Sequence, residues 1–176
     1  LIANTLGELG KAFTNSNQKT VLFSWISAIA FMLQIYYDFS GYSDMAIGLG
    51  RIFGFHFLEN FNYPFISKSI SEFWRRWHIS LGSFFKNYVY IPLGGNRVSK
   101  KVHIRNLMIV WLLTGLWHGA SFNFIVWGIY YGIIIILEKY YFSTFLKKLP
   151  RFVQWFISFL LIMIGWVFFS TNNLGE

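Results

Sequence analysis

Long apolar runs without charged residues dominate the pattern of hydrophobic and polar positions in this chain. The longest run covers residues 106–137, where no Asp, Glu, Lys or Arg occurs. Two shorter charge-free runs cover residues 21–37 and 152–169. A transmembrane helix needs about 20 predominantly apolar residues, with a range of about 17–25. The pattern therefore predicts an all-α fold, a polytopic bundle of transmembrane helices.

The longest run is too long for one straight span and short for two. Half of it, about 16 residues, reaches roughly 24 Å as a helix, whereas the hydrocarbon core is about 30 Å thick. Residues 119–123 (Gly-Ala-Ser-Phe-Asn) form the natural break, so a helical hairpin is predicted. If residues 104–118 rise from the cytoplasmic side, His118 lies roughly 20 Å into the membrane.

Polar residues follow the first apolar run directly. Asp38 and Asp44, with hydroxyl side chains between them, need partners because buried polar groups are costly when unpaired. Two interpretations are open at this point. The helix ends here at the lipid headgroups, or the cluster lines a polar cavity.

A different pattern begins after residue 68. Ser69 and Glu72 have the spacing of a capping box, which predicts a helix start at Ile70. The periodicity predicts one helix over residues 70–85, too polar for a lipid-facing span, and an interfacial or re-entrant helix is expected. One side of that helix would carry Trp74, His78 and Leu81.

Composition supports a membrane protein. The chain is 55% hydrophobic and 12% charged, against roughly 25% charged residues in soluble domains. The net charge of +8 comes from basic residues that flank apolar runs, so nucleic-acid binding is not expected. Basic loops at residues 98–105 and 147–151 are expected on the cytoplasmic side. The chain has no cysteine, which excludes disulfides and cysteine metal sites, and no metal site is predicted.

Histidines are the only side chains here that ordinarily titrate near neutral pH. His103 lies among lysines and arginines and is expected to be solvated, and His56 is expected to be structural. His118 is the candidate general base, because it is an ionisable residue inside a charge-free segment. No serine or carboxylate is placed as an obvious covalent nucleophile, so direct transfer of an acyl group from donor to hydroxyl acceptor is the simplest chemistry.

His78 is the second candidate site residue. We expect it to line the same cavity as His118 and to orient a substrate. Arg75, one turn earlier, is expected to keep its imidazole neutral. The alternative is that His78 only anchors the helix at the membrane interface.

Five segments of this sequence resemble the membrane-bound O-acyltransferase (MBOAT) family, in its alginate O-acetyltransferase-like branch. The resemblance implies that His118 is the family's catalytic histidine and that His78 is the second histidine, with a catalytic or substrate-positioning role. The segments are Gln34–Asp44, Glu59–Phe65, Glu72–Leu81, Tyr90–Arg97 and Leu113–Ala120.

This resemblance implies an enzyme of the inner (cytoplasmic) membrane with many spans. It would move an acyl group, expected to be acetyl, to hydroxyls of a cell-envelope polysaccharide such as alginate. Its donor would be cytoplasmic acetyl-CoA, a co-substrate rather than a tightly bound cofactor, and a periplasmic or surface acetyltransferase partner would complete the transfer. Residues 1–176 would be the central to C-terminal part of one membrane domain, without its earlier and final spans.

Two other functions stay open on the sequence. One is transfer of D-alanyl groups to teichoic acid. The other is a non-enzymatic role as a membrane transporter or scaffold. In the transporter, His118 would carry protons or ligand, and its replacement would reduce flux without affecting acyl transfer.

Overall fold

The computed structural model describes residues 1–16 and 20–171, and all regular structure in these residues is helical. The predicted all-α fold is confirmed. Three helical stretches, Val21–Ile52, Phe122–Lys148 and Arg151–Ser170, are long and apolar enough to cross a membrane, so the chain is that of a membrane protein. The α-helices within the described ranges are α1 (Ile2–Asn15), α2 (Val21–Ile52), α3 (Ile70–Arg76), α4 (Ile79–Phe85), α5 (Lys100–His118), α6 (Phe122–Leu137), α7 (Ser143–Lys148) and α8 (Arg151–Ser170).

The chain divides into two units, Leu1–Asn60 and Phe61–Glu176. In the first unit, α2 continues without interruption through Asp38 and Asp44 to Ile52. A helix end at this cluster was therefore the wrong interpretation. No proline occurs in this stretch, and polar residues or single glycines cost a helix only about 1 kcal/mol or less each. Both carboxylates are exposed, and Asp38 borders an open concavity between α1 and α2.

The second unit contains the predicted hairpin. Helix α5 ends at His118 and α6 begins at Phe122, so the chain turns at the predicted break. Two glycines allow the helices to approach closely. A Cβ on Gly115 would collide with the backbone of Phe124, and one on Gly128 would collide with the backbone of Trp111. Small residues at such crossings are typical of helices packed in membranes.

The predicted helix start at Ile70 is confirmed by its cap. The Ser69 hydroxyl accepts a hydrogen bond from the backbone N–H of Glu72 at 3.0 Å. The Glu72 carboxylate in turn accepts from the backbone N–H of Lys68 at 3.0 Å. Helices α3 and α4 have seven residues each, too few to cross a membrane.

The prediction of a single helix over residues 70–85 was wrong, because Trp77 and His78 have non-helical backbone conformations that interrupt it. Trp77 is extended, at φ −109° and ψ 129°, and His78 is left-handed, at φ 46° and ψ 54°. The competing interaction is a backbone pairing with an earlier segment. Trp77 bridges to Phe61, and the Asn62 N–H donates to the Arg76 carbonyl at 2.9 Å.

An aromatic core holds α3 against the hairpin. The Trp74 ring centroid lies 5.0 Å from that of Trp111 on α5, and 5.4 Å and 4.8 Å from those of Trp127 and Tyr131 on α6. Burial of such rings dominates core energetics. The fully or almost fully buried aromatic side chains of this unit are Phe73, Trp77, Phe85, Trp111, Trp127, Tyr131 and Trp166.

Candidate active site

His118 is the last residue of α5, and the chain turns directly after it. Gly119 follows at φ 154°, in a conformation that side chains disfavour. A Cβ at this glycine would also lie 2.9 Å from the Phe124 ring. The histidine is therefore fixed at a tight turn between two packed helices.

Aromatic rings surround His118. Its ring centroid lies 4.9 Å from Trp117, 5.1 Å from Trp127, 5.1 Å from Phe169 and 6.1 Å from Phe124. The side chain is half-buried. Across residues 1–16 and 20–171, the hydrogen bonds include none to its ring nitrogens. Both nitrogens thus keep their capacity to donate to or accept from a substrate.

His78 lies close to the same indole. Its ring centroid is 5.8 Å from that of Trp117, so one tryptophan side chain borders both predicted site residues. Its Nδ1 lies 3.4 Å from the Ser80 hydroxyl. The structure thus brings His78 and His118 into one neighbourhood, although 39 residues of sequence separate them.

The backbone of His78 is strained. A left-handed conformation in a residue other than glycine is uncommon, and each such residue costs about 1–3 kcal/mol when the surroundings enforce it. Here the Phe61–Trp77 bridge enforces it on one side. On the other side the Gly82 N–H donates to the His78 carbonyl at 3.0 Å. Strain of this kind concentrates at functional sites.

His78 is neutral at physiological pH, but the predicted cause was wrong. Burial, with a smaller contribution from nearby His118, lowers the pKa of His78 to about 4. Arg75 is exposed and is not among the groups that shift this pKa. A neutral imidazole is able to accept one hydrogen bond and donate another.

His103 is buried, which corrects the prediction that it is solvated. Only 2% of it is exposed. Its Nε2 lies 2.6 Å from the Tyr90 hydroxyl, and its Nδ1 lies 2.7 Å from the Tyr140 hydroxyl. The tyrosines come from two helical turns that sequence periodicity does not link to α5, Lys86–Tyr90 and Glu138–Phe142. His103 is therefore a structural residue.

The other sequence candidates contribute less. His56 is exposed in the first unit, so burial does not support the structural role expected for it. Within the described ranges no three His, Asp or Glu side chains gather as ligands of a metal ion would.

Sequence reasoning missed the residue whose side chain accepts hydrogen bonds from the first turn of α3. The Glu138 carboxylate, at the end of α6, accepts hydrogen bonds from the backbone N–H groups of Ile70 and Ser71, each at 2.9 Å. The available signal was an acidic residue directly after the apolar run, inside the continuous helical stretch Phe122–Lys148.

The sequence matches the family model described as MBOAT, membrane-bound O-acyltransferase family, over residues 9–174. The chain belongs to the MBOAT family. The match includes both histidines that border Trp117. The resemblance noted in the five motifs is thereby confirmed.

Curated MBOAT relatives match along most of the chain. It is 49% identical to the protein named "Probable alginate O-acetylase AlgI" from Pseudomonas aeruginosa, over 98% of this chain and 33% of that protein. It is 42% identical to the "Peptidoglycan O-acetyltransferase" of Helicobacter pylori, over 92% of this chain and 31% of the relative. It is 35% identical to the "Teichoic acid D-alanyltransferase" of Bacillus subtilis, over 63% of this chain and 30% of the relative. The chain thus spans about a third of the length of these relatives.

Proposed function

We propose that this protein is an O-acetyltransferase that transfers acetyl groups towards hydroxyls of a cell-envelope polysaccharide such as alginate. The relatives that match more than nine-tenths of the chain carry names that describe O-acetylation of alginate or peptidoglycan. The D-alanyltransferase relatives match a smaller part of the chain at lower identity, which makes D-alanyl transfer the weaker alternative.

The observation that carries this proposal is the state of His118. Its ring is half-buried among aromatic side chains, and no hydrogen bond of the described residues occupies its nitrogens. A histidine held only by packing is free to bind the reacting groups. A histidine such as His103, with both nitrogens engaged, is not.

In the proposed reaction, a His118 ring nitrogen takes the proton of the acceptor hydroxyl while the hydroxyl oxygen attacks the thioester carbonyl carbon of acetyl-CoA. The carbon–sulfur bond then breaks, and the imidazolium returns its proton to the departing thiolate. The products are the acetyl ester and free CoA. General base catalysis of this kind contributes about 10²–10⁴ in rate.

His78 has a different proposed role. Its pKa of about 4 keeps it neutral throughout the physiological range, and we assign it to hydrogen bonding of the substrate or donor beside His118. The backbone contacts on both sides of His78 keep its left-handed conformation and so fix the position from which the ring extends.

The proposed reaction uses a donor from the cytoplasm and an acceptor in the cell envelope. We place the protein in the inner (cytoplasmic) membrane, with basic residues 98–105 and 147–151 on the side of the donor. A periplasmic or surface acetyltransferase would complete delivery to the polysaccharide.

The experiment that tests the function is mass analysis of envelope polysaccharide from three strains: a deletion strain, and the same strain complemented with the wild-type protein or with His118→Ala. We expect acetyl esters only with the wild-type protein. D-alanyl esters would favour the alternative transferase. Equal acetyl-ester content in all three strains would contradict the proposed function, whereas acetyl esters with His118→Ala but not in the deletion strain would favour a transporter or scaffold.

A further inference from the structure

Glu138 connects the end of α6 to the first turn of α3, the helix that precedes His78. It lies directly after α6, and its half-buried carboxylate reaches the first turn of α3, 67 and 68 residues away in sequence. Its Oε1 accepts from the Ile70 N–H and its Oε2 from the Ser71 N–H, both at 2.9 Å. The Ser71 hydroxyl donates to the same Oε2.

Contacts along α6 show that α3 runs antiparallel beside it. The first turn of α3 lies at Glu138, at the C-terminal end of α6. Further along α3, the Trp74 ring packs against Tyr131 and Trp127, which lie progressively nearer the N-terminal end of α6. That end of α6 is where Trp127 packs against His118.

Helix α3 depends on its anchors because it has only seven residues. Isolated helices shorter than about 12–15 residues are marginal in water. Its far end leads directly into His78, the residue after Trp77. A displacement of the first turn would act over about 10 Å, the length of seven helical residues, on the imidazole beside Trp117.

We propose that Glu138 is a positioning residue for acyl transfer: its carboxylate fixes the first turn of α3 to the end of α6 and thereby places His78 beside Trp117 and His118. This inference rests on the proposed acetyltransferase function. It adds a residue outside the two-histidine site to the machinery of that reaction.

The chemistry of the contact requires a carboxylate. Three donors converge on two oxygens, and hydrogen bonds to a charged acceptor are about twice as strong as neutral ones. A glutamine offers one acceptor oxygen and places an NH₂ group against a donor. Glu138→Gln is therefore expected to lose at least one of the three bonds and to displace α3.

The test measures initial rates of labelled acetyl transfer from acetyl-CoA in membrane vesicles that contain the full-length protein. We expect Glu138→Gln to lower kcat about 10- to 100-fold, the scale for misplacement of a catalytic group by about 1 Å, with little change in KM. The matched control is Glu8→Gln, which removes an exposed carboxylate in the first unit and should keep the wild-type rate.

A chemical rescue separates positioning from loss of folding. This chain contains no cysteine, so Glu138→Cys, in full-length protein freed of any other cysteine, has one thiol to alkylate. Iodoacetate restores a carboxylate, whereas iodoacetamide adds a neutral group of the same size. We expect the carboxylate form to transfer acetyl at least several-fold faster than the amide form, with complete modification checked by intact mass.

Equal rates for the two alkylated forms would overturn the inference, as would a wild-type rate for Glu138→Gln. Absence of acetyl transfer by the wild-type protein would instead contradict the proposed function. Failure of the inference and failure of the function are thus distinguishable.

Discussion

Two histidines near opposite ends of one helix differ in a way that separates structure from chemistry. His103, in the first turn of α5, is 2% exposed and has a tyrosine hydroxyl on each ring nitrogen. His118, the last residue of α5, is half-buried and contacts aromatic rings, with no hydrogen bond of the described residues on its nitrogens.

This difference shows that sequence neighbours are a poor guide to the state of a histidine. His103 lies between basic residues, yet it is buried, and its tyrosine partners come from separate turns. His118 lies in a charge-free run, yet its polar atoms are the unoccupied ones. A buried polar group that is satisfied contributes to stability, whereas ring nitrogens without a hydrogen bond from the described residues are available to a substrate.

The largest expected effect comes from His118→Ala. We expect acetyl transfer to fall about 10²–10⁴-fold, the usual contribution of a general base, while the protein inserts and accumulates normally. The measurement is the initial rate of labelled acetyl transfer in membranes, normalised to protein amount by immunoblot. His56→Ala, which removes an exposed histidine, is the control and should keep the wild-type rate. A wild-type rate for His118→Ala would contradict the assignment.

His78→Gln comes next, with an expected loss of about tenfold or more. Because burial and nearby His118 lower the pKa of His78 to about 4, the imidazole is neutral above about pH 5 and gains a proton only below that. The ratio of wild-type to variant rates should therefore stay constant between about pH 5.5 and 8.5. Parallel pH–rate profiles check this. A ratio that changes severalfold around pH 6–7 would show that His78 titrates during the reaction.

The parts of the fold governed by local chemistry were predictable from the sequence. The capping box at Ser69 and Glu72 placed a helix start correctly, since both partners lie within four residues. The hairpin break at residues 119–123 was also found, because a charge-free run of that length cannot remain one straight span.

Features that depend on distant segments were not predictable. The break at Trp77 arises from pairing with Phe61 and Asn62, and periodicity carries no signal of such a partner. The role of Glu138 has the same origin, because its partners on α3 are 67 and 68 residues away. For the candidate site, sequence identified both histidines and the flanking Trp117, but not the strained backbone of His78.

His103→Phe tests whether His103 stabilises the fold without taking part in acetyl transfer. The substitution keeps a ring between the half-buried Tyr90 and Tyr140 side chains but removes the imidazole partner of both hydroxyls, at about 0.5–1.5 kcal/mol for each hydrogen bond lost. We expect a thermal unfolding midpoint lower by several degrees in detergent. We also expect an unchanged transfer rate per folded molecule. A wild-type unfolding midpoint together with a strongly reduced acetyl-transfer rate would show that His103 takes part in the reaction. It would then not differ from His118 in function.

The smallest effect is expected from Tyr140→Phe, which removes one of the two hydroxyl partners of His103. The ring itself remains for Lys100, whose Nζ lies 4.9 Å from its centroid, so only the hydrogen bond is lost. A single neutral hydrogen bond contributes about 0.5–1.5 kcal/mol, and the Tyr90 hydroxyl still occupies Nε2.

In the His103→Phe background the Tyr140 hydroxyl has already lost this partner, so its removal should cost nothing or restore some stability. The measurement is a double-mutant cycle on the unfolding midpoint, which isolates the pairwise interaction. Additive effects of the two substitutions would mean that this hydrogen bond does not stabilise the N-terminal end of α5.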